Sequence, residues 1–93
     1  MGYTGLMMEP SQIKNAILTV LDDAYIEILN PMGDGLHFDA VVVSSEFEGK
    51  SLIEQQRIVM ESLTKLFGSS LHAMSLKTYT PDAWKKVKNA TTD

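Results

Sequence analysis

The sequence predicts a small α+β domain in the order αββαβα, built around one three-stranded mixed sheet. Apolar residues recur at helical spacing in some segments and alternate or run together in three others, which indicates helices and strands. A turn rich in proline and glycine separates the first two extended segments, which predicts an antiparallel hairpin. A helical segment separates the second and third, and such a crossover makes those strands parallel. We expect the helices to pack on one face of this sheet.

The first helix is predicted to begin at Pro10, because proline suits the first helical position. We expect it to end at Asp22–Asp23, since acidic side chains are unfavourable at a helix C-terminus. Its apolar stripe has the i, i+3, i+4, i+7, i+8 spacing of an amphipathic helix and comprises Ile13, Ala16, Ile17, Val20 and Leu21.

Strands are predicted at residues 24–29, 37–44 and 71–78. The turn between the first two is Asn30–Gly35, and the second strand contains the nearly continuous apolar run Phe38–Val43. The third alternates apolar and polar residues, as expected of a strand with one buried face.

The second helix is predicted to begin with a capping box, in which Ser51 and Glu54 satisfy each other's backbone amides, and to stop at Gly68. In the loop before this helix, Phe47 is the one large apolar residue, and it is interpreted as a residue that packs into the core. The residues expected to point inward from this helix are Leu52, Val59, Met60, Leu63, Leu66 and Phe67. The last helix follows the N-cap Thr80, with proline next.

The composition restricts both organisation and chemistry. With 93 residues there is room for one core, and we expect a domain at 9–88 between a flexible leader at 1–8 and a flexible tail at 89–93. The absence of cysteine excludes thiol nucleophiles, redox dithiols and thiolate metal sites within this chain. No apolar stretch reaches the roughly 18 residues of a membrane span, so a cytoplasmic compartment is predicted.

The charge is negative overall but unevenly distributed. Net charge is −4, which disfavours nucleic acid and anionic membranes as partners. Residues 1–76 hold four basic against ten acidic side chains, whereas 77–93 hold four basic against two. That basic end is interpreted as a solvated helix tail or, alternatively, as a docking patch for an acidic partner.

Three stretches, in this order and spacing, resemble the BolA family over about residues 8–84. They are Gly33–Phe38 with Val41–Ser44, then Phe47–Ser51, and then His72–Thr78 continuing to Thr80–Pro81 and Trp84. The resemblance implies a type II KH-like fold and a monothiol glutaredoxin partner with which a 2Fe–2S cluster is shared. Where many members carry an Arg-His-Arg cluster, this chain has Gln55-Gln56-Arg57.

The resemblance implies that His72, at the start of the third strand, is a cluster ligand, and His37, the only other histidine, is assigned as the second. Parallel strands start at the same end of a sheet, so both histidines are expected at one rim, although ideal alternation need not aim both rings alike. Two imidazoles fill half of a four-ligand site, so two thiolates must come from elsewhere. The resemblance implies that they are a cysteine of the partner and glutathione bound to it. No cofactor is expected in the isolated chain.

Three further residues are candidates for partner binding. Tyr79 and Trp84 are interpreted mainly as packing residues over the sheet rim, and Lys77 as solvated surface or as part of a groove for an acidic partner or glutathione. The alternative function is a KH-like transcriptional regulator that binds nucleic acid weakly, although the only Gly-x-x-Gly lies at residues 2–5. No catalytic constellation is recognisable, and alone the chain is expected to be a monomer or weak homodimer.

Overall fold

The computed structural model describes residues 9–29, 37–67 and 73–91, and its elements follow the predicted order αββαβα. A short 3₁₀ helix, Ser45–Phe47, separates the second strand from the second helix. The last helix runs to Thr91, three residues past the predicted domain boundary at 88. The elements are α1 Pro10–Leu18, β1 Tyr25–Leu29, β2 His37–Val43, α2 Leu52–Phe67, β3 Ala73–Tyr79 and α3 Pro81–Thr91.

The three strands form one mixed sheet in the order β1-β2-β3. β1 and β2 are antiparallel, with Tyr25 opposite Val43, and β2 and β3 are parallel, with Val43 opposite Tyr79. The predicted hairpin and crossover are both confirmed. The hairpin turn itself, residues 30–36, lies outside the described residues, as do the leader 1–8 and residues 68–72.

Helix α1 begins at Pro10 as predicted but ends at Leu18, before the two aspartates. The α-helical hydrogen-bond pattern gives way there to bonds between residues three apart. The Thr19 hydroxyl donates to the Ala16 carbonyl at 2.6 Å, and the Val20 N–H donates to the Ile17 carbonyl at 3.1 Å. Val20 therefore leaves the helical stripe and is 45% exposed, contrary to the prediction, whereas Leu21 is buried.

The capping box of α2 is confirmed. The Ser51 N–H donates to Glu54 Oε1 at 2.9 Å, and the Glu54 N–H donates to Ser51 Oγ at 3.2 Å. Leu52, predicted to face inward, is instead 59% exposed. The inward positions just after the first turn are taken by the amides of Gln55 and Gln56, which bind backbone carbonyls beneath the helix.

Helices α1 and α2 cover one face of the sheet. The residues buried on it alternate along the strands, as period two requires, and include Ile26, Phe38, Ala40, Val42 and Thr78. Phe47 is fully buried in the same core, as predicted.

Helix α3 does not share that face, which corrects the prediction that all helices lie on one side. Its Trp84 contacts Tyr79 and Tyr25, whose side chains alternate with the core-facing ones. The cover over this second face explains why Val43, which lies between the two tyrosines, is only 6% exposed. The N-cap of α3 is confirmed, since the Ala83 N–H donates to Thr80 Oγ1 at 3.2 Å.

Candidate functional site

The neighbouring parallel strands β2 and β3 begin beside one another, as predicted from the order of the elements. His37 opens β2, and its register partner on β3 is Ala73. His72 directly precedes Ala73 in the chain but lies outside the described residues. The parallel strand starts are confirmed, while ligation by His72 and His37 stays a prediction.

From this rim the second face of the sheet extends toward α3. We define the second face by the residues that alternate with the core-facing ones: Tyr25, Glu27, Leu29, Asp39, Val41, Val43, Ser75, Lys77 and Tyr79. In its central row, Val41 stands between Glu27 on β1 and the exposed Lys77 on β3. Two opposite charges thus flank the apolar side chain of Val41, between the rim and the α3 end of this face. Binding by Lys77 stays a prediction.

The aromatic candidates pack against one another at the α3 end of the second face. The ring centroids of Tyr79 and Trp84 are 5.2 Å apart, and those of Tyr25 and Trp84 are 6.1 Å apart. Tilted arrangements at such distances are favourable for aromatic rings. These contacts agree with the packing role that the sequence analysis favours, and partner contact by Tyr79 and Trp84 stays a prediction.

Tyr25 and Glu27 form a polar contact that the sequence analysis missed. The Tyr25 hydroxyl donates a hydrogen bond to Glu27 Oε2, two residues along the same strand face. This bond, helped by burial and the carboxylate charge, raises the pKa of the Tyr25 hydroxyl. Strand alternation could have revealed the pair, because residues i and i+2 share a face.

A second missed contact joins the start of β1 to the end of β2. Asp23 accepts hydrogen bonds from Ser44 Oγ at 2.7 Å, from Ser45 Oγ at 2.6 Å and from the Ser45 N–H at 3.0 Å. These bonds, chiefly those from the two serine hydroxyls, lower the pKa of Asp23. Asp22 and Glu46 lie nearby, but all three carboxylates are exposed and Asp23 has a structural role.

Asp23→Asn is expected to destabilise the protein at neutral pH and to lose that effect in acid. Because the pKa of Asp23 is lower in the folded state, its carboxylate stabilises the fold above its ordinary pKa of 3.8, and that stabilisation disappears as pH falls through the folded-state pKa. Urea unfolding at pH 7 and at about pH 2 would measure the difference. Asp22→Asn is the matched control; an Asp23→Asn effect that is equal at both pH values would contradict the prediction.

Among the described residues, none of the helices combines the length and apolar character needed to cross a bilayer. The fold and the rim define a class of small α+β domain: a mixed three-stranded sheet with two helices on one face, a third on the other, and a histidine opening its central strand.

Comparison with known proteins identifies the family of this domain. A family model described as BolA-like protein matches residues 10–83. A BolA-like protein of Dictyostelium discoideum is 37% identical over 84 residues, covering 82% of this chain and 74% of the relative. The acid stress protein IbaG of Escherichia coli is 30% identical over 80 residues, covering 85% and 92%. The chain belongs to the BolA family.

Two further comparisons extend this result. The DNA-binding transcriptional regulator BolA of Escherichia coli is 31% identical over 72 residues, covering 77% of this chain and 68% of the relative. A solved bolA protein homologue from Coxiella burnetii superposes with a TM-score of 0.67 at 39% identity, covering 85% of this chain and 99% of that one. The α+β fold is thus that of known BolA structures.

Proposed function

We propose that this chain is a non-enzymatic adaptor that binds a monothiol glutaredoxin and shares or delivers a 2Fe–2S cluster. The observation that carries the proposal is the parallel register of β2 and β3, in which His37 is paired with the residue that follows His72. Membership of the BolA family supports it, because the resemblance assigns a cluster-ligand role to the histidine that opens the third strand.

The donor set of the chain fits half of such a cluster. Two histidines and no cysteine can supply two neutral imidazoles, and histidine replaces two thiolates in known 2Fe–2S centres. The partner's cysteine and glutathione would supply the other two ligands. Since histidine binds a metal in its neutral form and not as the protonated imidazolium, sharing of the cluster is expected to weaken as pH falls below about 6.5.

The second face would guide the partner to this rim. Lys77 is exposed there and could pair with a carboxylate of the partner or of glutathione. Tyr79 and Trp84 are half-buried against one another, so their contribution would be to hold that end of the face rigid and to offer their exposed edges.

Mixing the chain with cluster-loaded glutaredoxin tests the proposal. We expect the visible absorption and circular dichroism of the cluster to change, His72→Ala to abolish the change and His37→Ala to reduce it. Asn15→Ala, an exposed change on α1 away from the rim and the second face, is the control and should behave like the unaltered chain. Unchanged spectra with the unaltered chain, or an undiminished spectral change with a folded His72→Ala variant, would refute the proposal.

A second candidate, nucleic-acid binding, is favoured by one observation, the similarity to the Escherichia coli regulator BolA. The exposed lysines of α3, Lys85 and Lys86, would be its contact points. Binding that survives physiological salt and falls steeply with further salt would support it, because counterion release sets the slope. Equal binding by the Lys85→Gln, Lys86→Gln double variant would contradict a role for α3.

A further inference from the structure

The two outer edges of the sheet differ in how their backbone groups are used. The Ser44 N–H donates to the Tyr79 carbonyl at 3.1 Å, so the backbone N–H and carbonyl of Tyr79 are directed toward β2. Backbone groups alternate sides along a strand. Those of Leu76 are therefore directed away from β2, and those of Val43 are directed toward β1. On the outer edge of β3, Gln56 Nε2 donates to the Leu76 carbonyl at 3.1 Å. A side chain of α2 thus occupies the middle of that edge.

On β1 the same alternation turns the backbone groups of Ile26 and Ile28 outward. The other three residues of β1 form the hydrogen-bonded pairs with β2, because the backbone groups of their β2 partners are directed toward β1. Those pairs are Tyr25 with Val43, Glu27 with Val41 and Leu29 with Asp39. Within the described part of the chain, β1 is an edge strand with two N–H and two carbonyl groups directed away from the sheet.

A cleft lies beside this edge, between β1 and the first turns of α1. Its volume is about 480 Å³, and its lining residues are Pro10, Ser11, Lys14, Ile26, Glu27, Ile28 and Leu29. The Ile26 side chain is buried in the core, which anchors the strand, whereas Leu29 is 62% exposed. The strand is therefore anchored to the core and has apolar surface beside its outer edge.

We propose that the outer edge of β1 binds an extended basic–apolar peptide of a partner protein by strand addition. The outward groups of Ile26 and Ile28 supply up to four main-chain hydrogen bonds, which give such complexes their affinity. Alternate peptide side chains face the cleft and are apolar. The others lie beside the second face, opposite Glu27, and are basic.

Charge selects this occupant over a second copy of the chain. Glu27 is exposed at the middle of β1, and the chain carries a net charge of −4. Antiparallel pairing of two β1 strands over their full length would place Glu27 of one protomer opposite Glu27 of its partner, and like charges directly opposite destabilise a sheet. A basic peptide reverses the sign of that interaction.

The probe is the peptide acetyl-Thr-Val-Lys-Val-Lys-Val-Thr-amide, titrated into the ¹⁵N-labelled chain at low salt. We expect amide shifts and slowed hydrogen exchange at Ile26 and Ile28. Glu27→Gln should weaken binding about twofold to fivefold, as for an exposed ion pair. Glu61→Gln, which removes an equal charge from α2, should leave affinity unchanged.

Ile28→Pro gives the decisive variant, because it removes an outward N–H and leaves the β1–β2 ladder intact. Binding should be lost in Ile28→Pro and retained in Ile28→Val. No binding by the unaltered chain, or undiminished binding by a folded Ile28→Pro, would overturn the proposal. So would Ile26 and Ile28 amides that are already protected without peptide, which would mean that another segment of this chain, or a second copy if protection grows with concentration, occupies the edge.

Discussion

Phe47→Ala is expected to lower the free energy of unfolding by about 3–5 kcal/mol, the range for deleting a large aromatic side chain from a core. Phe47 is completely buried, and it belongs to the same apolar cluster as Phe38, Val59 and Leu63. It also lies in the 3₁₀ helix that links β2 to α2. The crossover that makes β2 and β3 parallel would therefore lose its anchor in the core.

Urea unfolding, followed by far-ultraviolet circular dichroism, measures this effect. A domain of this length has a total stability of roughly 5–14 kcal/mol, so the variant would lose a large share and melt at least about 12 °C lower. Phe47→Leu should cost about 1.5 kcal/mol or less. Leu52→Ala, at an exposed position, should change stability by less than about 0.5 kcal/mol. A Phe47→Ala loss as small as that control would contradict the prediction.

Gln55→Ala is expected to cost about 1–3 kcal/mol, because it leaves the buried Thr78 hydroxyl without its side-chain acceptor and removes two hydrogen bonds to backbone carbonyls. Gln55 Nε2 donates to the Lys50 carbonyl at 2.9 Å and to the Phe47 carbonyl at 3.2 Å. Its Oε1 accepts a hydrogen bond at 2.8 Å from the hydroxyl of Thr78, a buried residue of β3. One side chain therefore ties the 3₁₀ loop to α2 and to the sheet.

Thermal and urea unfolding of Gln55→Ala, Gln55→Glu and Arg57→Ala would test this role. Gln55→Glu keeps an acceptor for Thr78 but turns a carboxylate toward two carbonyls, so it should also destabilise. Arg57 is exposed on the same helix, and its removal should be close to neutral. Equal stabilities for Gln55→Ala and Arg57→Ala would show that the network contributes nothing.

The Gln55 network also explains a feature that the sequence presented only as a departure from the family pattern. Gln55-Gln56-Arg57 stands where many members carry Arg-His-Arg. In the fold, the amides of both glutamines bind backbone carbonyls beneath α2. Nothing in the local sequence reveals this, because their partners lie up to 23 residues away along the chain.

Part of the candidate site was likewise predictable from the sequence, and part was not. Composition alone shows that the chain has two imidazoles and no thiol, so it could supply only half of a cluster. The order of elements predicts that β2 and β3 start at the same rim, and the register of His37 with Ala73 agrees. The Asp23 bonds and the outward edge of β1 required the register of the folded sheet.

The αββαβα order, the caps at Ser51 and Thr80 and the burial of Phe47 were all predictable from the sequence. Each of these follows from side-chain periodicity and hydrogen bonds between residues a few positions apart. The placement of Trp84 on the second face and the difference between the two sheet edges became apparent only in the folded structure. Both depend on which strands and helices, distant in the chain, pack together, and residue spacing within one element does not predict such contacts.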